Sequence, residues 1–408
     1  MTLFTDSGSN ILVCFYILTK ILKMIPDTLL KLKKIKKRRI LVISASGVKG
    51  GIQSLYLQTT NPWEILSYAF IPYIKKIDDI LEKYSISNSC ISPSEQSWLD
   101  YKMSMQFVQS ARVALSQQPT ALRTPHLIVL NKPIVWKGAT GENLQQFTWD
   151  ISFGDAQYLA STFKTPVLAD LVRHNILAGG PGNLPLNPGN IRITSRCNGI
   201  VALINIGLIS HISVIDTENS SLLVDSDTGP GTCLLNKLIK EYGNGIGFDR
   251  DGSLASQGNI DGTCLNHFAE HHWFLKPAPK TANYDQFDSF LDDPRLNSLT
   301  NADKIATVTS LTARTAYDFF KREYNLKSSP DTIYLSGGGA NNLALIDYLQ
   351  TYFDPLPVKS IEEIGIPTDM RIPLALGLTV DSYICGNSIC WETGNTPRIE
   401  PLGRLVLP

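Results

Sequence analysis

The chain has no excess of either charge. Its 37 lysines and arginines balance 37 aspartates and glutamates. No global field draws it to nucleic acid or an anionic membrane, and no nucleic-acid partner is expected. Long apolar runs are also missing. Ile11–Leu18 comes nearest, and Lys20 and Lys23 stop it well short of the roughly 20 residues that span a bilayer. Cysteine is sparse: seven residues lie scattered between Cys14 and Cys390. The odd count and wide spacing exclude a disulfide scaffold and fit reduced thiols in the cytoplasm. Two nucleotide fingerprints are absent as well, the G-x-x-x-x-G-K-[ST] loop and a well-placed G-x-G-x-x-G.

What is present is ordinary globular material. Of 408 residues, 43% are hydrophobic and 18% charged, enough for one large or two medium domains with full cores. Near the N-terminus, the basic run Lys31–Arg39 follows the apolar run, the reverse of a signal peptide. Residues 11–39 read as a solvated extension or as a membrane-surface contact.

The remainder alternates strands and helices, an α/β pattern. Strands are expected at Arg39–Ser44, Ile52–Leu57, His126–Leu130, Phe147–Phe153, Pro166–Ala169 and Thr332–Leu335, with a hairpin over Gly199–Ile206 and Ile212–Ile215. Asn61–Arg123 reads as mostly helical, with Pro93 and Ser94 in a loop. Further helices are expected at Asp155–Phe163, capped by Asp155, at Lys304–Tyr324 and at Leu343–Phe353.

Three strand ends run into glycine corners. The first, Ser44–Gly51, offers Ser44, Ser46, Gly47, Lys49 and Gly50. The second, Asp225–Gly231, offers Asp227, Thr228, Gly229 and Gly231, and is expected to be a tight turn opening a helix. The third, Ser336–Asn342, offers Gly337, Gly338, Gly339 and Asn341 before another helix. Glycines let backbone N–H groups approach phosphate, and helix N-termini favour negative charge. Asp227 is an acid placed to hold Mg²⁺. Each corner alone reads equally well as an ordinary joint. Three together suggest a nucleotide gripped from several sides. Elsewhere, Cys264, His267, His271 and His272 have a spacing that suits either metal ligation or an ordinary helix face.

Several motifs, in order, resemble the anhydro-N-acetylmuramic acid kinases of the actin, hexokinase and Hsp70 class. They are GDAQ at Gly154–Gln157, AGGPG at Ala178–Gly182, DTGPG at Asp227–Gly231, FDRDG at Phe248–Gly252, KPAPKT at Lys276–Thr281, LTAR at Leu311–Arg314 and SGGGANN at Ser336–Asn342. The resemblance implies a two-lobed, ribonuclease H-like fold with an interlobe cleft. It implies an extension over 1–38, an N-terminal lobe over 39–198 and a C-terminal lobe over 199–408. It further implies a cytoplasmic enzyme, dimeric as family members are, that uses ATP and Mg²⁺. The implied reaction opens a 1,6-anhydro amino sugar with water and phosphorylates O6, giving N-acetylmuramic acid 6-phosphate. Asp170 matches the family's catalytic base; read alone, it is equally a capping aspartate. Gly179, Gly180, Gly182 and Trp136 match the sugar side.

The chain departs from the family in four places. Lys49 and Ile52 replace acids of the first phosphate loop, and Asn131–Lys137 keeps only the Val135–Trp136 core of an HGQTVWH element. Ile372 stands near the position of an acid that follows the family's GIP segment, and Leu171–His174 shifts the arginine pair after Asp170. A second reading is therefore open, a catalytically impaired pseudokinase that binds nucleotide and acts as regulator or scaffold.

Overall fold

The structure is a computed structural model. It describes residues 27–47, 50–85, 92–139, 148–177, 182–242, 247–324, 330–386, 390–391, 398–399 and 402–408. The chain divides into two units. Unit 1 comprises residues up to Leu81, Ile91–Pro185 and Leu376–Pro408; unit 2 comprises Glu82–Cys90 and Leu186–Ala375. The division thus falls at Pro185/Leu186 instead of near Asn198, and the last segment returns to unit 1.

Unit 1 is built on β1 (Arg39–Ala45), β2 (Gly51–Gln58), β3 (Glu64–Pro72), β4 (Leu127–Asn131), β7 (Val167–Ala169) and β15 (Arg404–Val406). The sheet order is β15-β7-β4-β1-β2-β3. β1 to β3 form an antiparallel meander, whereas β1, β4 and β7 run parallel. Ile40, Leu41, Val42 and Ile43 are all fully buried. A mid-sheet strand covered on both faces needs such an unbroken apolar run, and each of these side chains contributes about 1.5–3 kcal/mol by burial. A hairpin of β5 (Ile134–Ala139) and β6 (Thr148–Ser152) stands apart from the sheet.

Helix α3 (Pro93–Ser116) packs on β2 and β3. Ser54 and Ser110 hydrogen-bond across that contact at 2.7 Å. Pro93, expected in a loop, starts this helix: Ser92 and Glu95 form a capping box around it. Within the stretch expected to be helical, Glu64–Pro72 is a strand. Ser67 and Ala69 are buried while Tyr68 and Phe70 are exposed, a period of two that outweighs the isoleucines following it. The basic run is not wholly solvated. A helix over residues 27–34 precedes β1, with Leu32 buried. Buried Arg38 donates to the Leu32 carbonyl and pairs with Asp381. No helix among the described residues is long and apolar enough to cross a membrane.

Unit 2 repeats the plan. Its sheet contains β8 (Ile200–Ile206), β9 (Ile209–Asp216), β10 (Ser221–Pro230), β11 (Thr332–Ser336) and β12 (Val358–Ser360), ordered β10-β9-β8-β11-β12. β8 to β10 again form an antiparallel meander, and β8, β11 and β12 run parallel. Numbered within each unit, both sheets share the order 3-2-1-4-5, the ribonuclease H-like order, and the first adds β15 as a sixth strand beyond the fifth. The long helix α10 (Asn301–Glu323) packs against β10, α7 (Cys233–Glu241), α8 (Gly262–Ala269) and α11 (Leu343–Phe353). Thr300 caps it by accepting from the Asp303 N–H.

Candidate active site

Asp170 sits where β7 ends and α5 (Leu171–Leu177) begins. Its φ is +59°, a left-handed conformation that a non-glycine residue holds only where the surroundings over-determine it. The carboxylate is nearly buried and clamped by two cations. Lys132 Nζ lies 2.7 Å from Oδ1, and Arg404 Nε donates to Oδ2 at 2.8 Å. Lys132 follows β4, and Arg404 comes from β15, which pairs antiparallel with β7 so that Arg404 stands opposite Ala169. Burial alone raises the Asp170 pKa, but Lys132, Arg404 and the nearby Arg173 outweigh it and hold the group below the usual carboxylate range. Arg173 itself is engaged with Asp150, at 3.0 Å. Asp170 is therefore ionised at neutral pH, as a general base must be.

A polar cavity of about 660 Å³ lies in the same unit. Its lining includes Gln96, Asp100, Tyr101, Lys132, Tyr158 and Arg404. Asp155, in the GDAQ motif, caps α4 (Ala156–Phe163) by accepting from the Gln157 N–H. Gly182 and Asn183 both donate to buried Asn175 Oδ1, which fixes the end of the AGGPG loop. Gly179, Gly180 and Lys49 lie outside the described residues, as does the Trp136 side chain, although its backbone is in β5.

The β1–β2 corner closes on itself. Ser46 Oγ accepts from the Gly51 N–H at 2.9 Å, Ser44 Oγ accepts from Asn131 at 3.0 Å, and the Ser46 carbonyl accepts from Tyr73. Gly50 accepts through its carbonyl from the Tyr73 N–H at 3.3 Å. Gly47 stands at the described edge of this corner.

The second corner differs from its expected form. Asp227 to Pro230 belong to β10 itself, with a bulge between Asp227 and Gly229. Only Gly231 and Thr232 separate the strand from α7. The N–H groups of Gly231, Thr232 and Cys233 donate to the Gly207 and Leu208 carbonyls. Those amides serve the β8–β9 turn instead of standing free for phosphate. Gly231 is required there, because a Cβ would come within 2.2 Å of the Gly207 carbonyl. Thr228 is buried, and its hydroxyl donates to the Ser210 carbonyl. The motifs without chemistry of their own build this corner. Thr312 of LTAR donates to the Gly231 carbonyl at 2.7 Å, and Lys280 of KPAPKT accepts through its carbonyl from the Asp227 N–H at 3.1 Å.

At its centre is His211, which the sequence reading passed over. Its Nε2 is 3.0 Å from Asp225 and its Nδ1 3.0 Å from Asp227. Burial favours the neutral ring, but the two carboxylates outweigh it and push the pKa up to about 10. His211 is thus an imidazolium that bridges β9 and β10. The second Asp227 oxygen accepts from the Ala282 N–H at 2.9 Å. With both oxygens engaged and a cation alongside, Asp227 does not fit direct ligation of Mg²⁺. Among the described residues, no cluster of histidine, cysteine and acids is arranged to hold a metal. The Cys264 segment does not form one: Cys264 is buried in the core and His267 faces Asp293 at 3.5 Å.

The third corner is a 3₁₀ turn over Gly338–Asn341 leading into α11, which Asn342 caps. Gly337 has φ +87°, and a Cβ there would lie 2.6 Å from the Ile206 carbonyl. Gly339 packs against Ile206, whereas Gly338 faces open space. Asn341 is exposed. FDRDG supports this corner: Asp249 accepts from Asn342 at 3.4 Å and from the Leu254 and Ala255 N–H groups.

Comparison with known proteins agrees with these motifs. The chain is 33% identical over 263 residues to an anhydro-N-acetylmuramic acid kinase of Rhodopseudomonas palustris (strain BisB18), covering 63% of this chain and 69% of that one. It is 26% identical over 389 residues to the enzyme of that name from Synechococcus sp. (strain CC9902), covering 90% and 97%. The activator of a 2-hydroxyisocaproyl-CoA dehydratase from Clostridium difficile aligns with a TM-score of 0.41 at 11% identity, over 85% of this chain and 94% of that one. The fold assignment rests on strand order, not on that alignment. A family model described as anhydro-N-acetylmuramic acid kinase matches residues 40–386, and the chain belongs to that family.

Proposed function

We propose that the chain performs the reaction its family is named for, using the magnesium complex of ATP as donor, in the cytoplasm. Asp170 is the general base. It takes a proton from water as the water oxygen attacks C1 of the 1,6-anhydro sugar. The C1–O6 bond breaks, O6 attacks the γ-phosphorus, and ADP leaves. The products are N-acetylmuramic acid 6-phosphate and ADP.

The observation that carries this reading is the state of Asp170: a strained, nearly buried carboxylate kept ionised at a strand end. Sugar recognition falls to unit 1 residues around Lys132, Asp155 and Gly182. Within unit 2, nucleotide recognition falls to the open face of Gly338 and to exposed Asn341. Asp227 serves through His211 and Ala282 to hold its loop, and no metal-dependent step is assigned to it.

A coupled ADP-release assay with 1,6-anhydro-N-acetylmuramic acid tests the proposal. The wild type should turn over and Asp170→Asn should not. Equal background in both would overturn it and favour a nucleotide-binding regulator.

A further inference from the structure

A base whose carboxylate is gripped by two cations is a weak base until something draws them away. The arrangement around Asp170 indicates what does. Lys132 lines both the large polar cavity and the small recess that holds Asp170. Arg404 lines the large cavity, with its side chain about half exposed. Asp170 lines only the recess. The two cations therefore stand between the cavity and the base, and an anion in the cavity competes with Asp170 for them.

The other charges nearby are already committed. Asp100 Oδ1 accepts from the Gly154 N–H at 2.8 Å, and Asp155 Oδ1 from the Gln157 N–H at 2.9 Å. Arg173 is held by Asp150. Lys132 and Arg404 are thus the side chains best placed to receive an oxyanion. Tyr101 and Tyr158, edge to face at 6.1 Å and both well exposed, give the same cavity flat apolar faces of the kind a sugar ring lies against.

We propose that this cavity is an anion subsite for the lactyl carboxylate of the sugar, with Lys132 as the specificity-determining residue. Taking up that carboxylate loosens the grip on Asp170, so the correct substrate sharpens its own base. The inference rests on the reaction proposed above, because it concerns the same site. It adds that Lys132, which stands outside the family's sugar-reading pattern, gives the site a charge test.

The test uses the full chain and two probes, 1,6-anhydro-N-acetylmuramic acid and 1,6-anhydro-N-acetylglucosamine, which lacks the lactyl group. Calorimetric titration reads binding without turnover. Wild type should bind the acidic sugar about tenfold tighter or more, as expected for a charged hydrogen-bond partner. Lys132→Met should reduce that preference to about threefold or less by weakening the acidic sugar alone. Lys132→Arg should restore most of it.

The pH profile gives a second readout that a structural role would not move. With the acidic sugar, the acid limb of kcat should lie at higher pH than that of kcat/KM, because the former reports the complex and the latter the free enzyme. With the neutral sugar, the two limbs should coincide. Equal binding of both sugars by wild type, equal weakening of both in Lys132→Met, or no binding of either overturns the inference. Carboxylate-dependent binding without any ADP release would instead sink the proposed reaction and leave the subsite standing.

Discussion

The two units solve opposite electrostatic problems on the same strand plan. In unit 1 an anion, Asp170, lies between two cations at the end of a parallel strand. In unit 2 a cation, His211, lies between two anions across an antiparallel pair. The first group lines a small recess next to a cavity, and one of its partners is about half exposed. The second ties β9 to β10, with all three side chains about a fifth exposed. A shared strand plan therefore does not dictate charge. Under the proposed function, the difference separates a group kept ready for chemistry from one that holds geometry.

Four experiments would break or sharpen that contrast. The largest effect should come from Asp170→Asn, which removes the proposed base while keeping its hydrogen-bonding shape. ADP release should fall by about 10²–10⁴-fold with the melting temperature little changed.

Next is His211→Leu, which leaves Asp225 and Asp227 facing each other without a counter-charge. Stability should drop by about 3 kcal/mol, the low end for breaking a buried pair because these groups are not fully enclosed. The sign with pH is set by the raised pKa. The contribution of His211 is complete below its unfolded value of about 6.5 and is lost as pH rises through about 10. The stability gap between wild type and His211→Leu should accordingly narrow between pH 7 and 10, measured by chemical denaturation.

A smaller effect separates two adjacent glycines. Gly337→Ala should cost about 2 kcal/mol, since its φ is positive and its Cβ would strike Ile206. Gly338→Ala meets nothing and should leave stability unchanged while weakening nucleotide affinity. A matched loss of affinity and stability in both would remove Gly338 from the proposed nucleotide face.

The smallest effect should be that of Arg404→Met. Its side chain is half exposed and screened, so the acid limb of kcat/KM should move only modestly toward higher pH, with maximal activity retained. The sign follows from the lowered pKa of Asp170: its stabilising charge is present above the unfolded value and fades as pH falls through the folded one.

Much of this architecture was legible in the residues. The apolar runs of β1, β4 and β11 and the helix Leu343–Phe353 could be read from period and capping alone. Asp170 could be placed because a short apolar strand visibly stops there. β3 could not: its alternation was masked by the isoleucines that follow. DTGPG looked like a turn, because glycine and proline rarely end a strand that carries a bulge. The clamp was beyond reach for a different reason. Arg404 and Asp170 are 234 residues apart, and only strand pairing brings them together. His211 needed the β9–β10 register, which places it opposite Asp227.

The return of β15 to the first sheet has a consequence for biogenesis. During ribosomal synthesis, nearly all of unit 2 emerges as one continuous stretch, so its sheet can assemble as soon as it clears the exit tunnel. Unit 1 starts earlier and finishes later. Its β7 border stays open until β15 is made, and Arg404, which completes the aspartate's surroundings, follows Asp170 by 234 residues. Ribosome stalling or premature termination just before β15 would then release a chain with a well-formed second unit and an Asp170 that lacks one of its two cations.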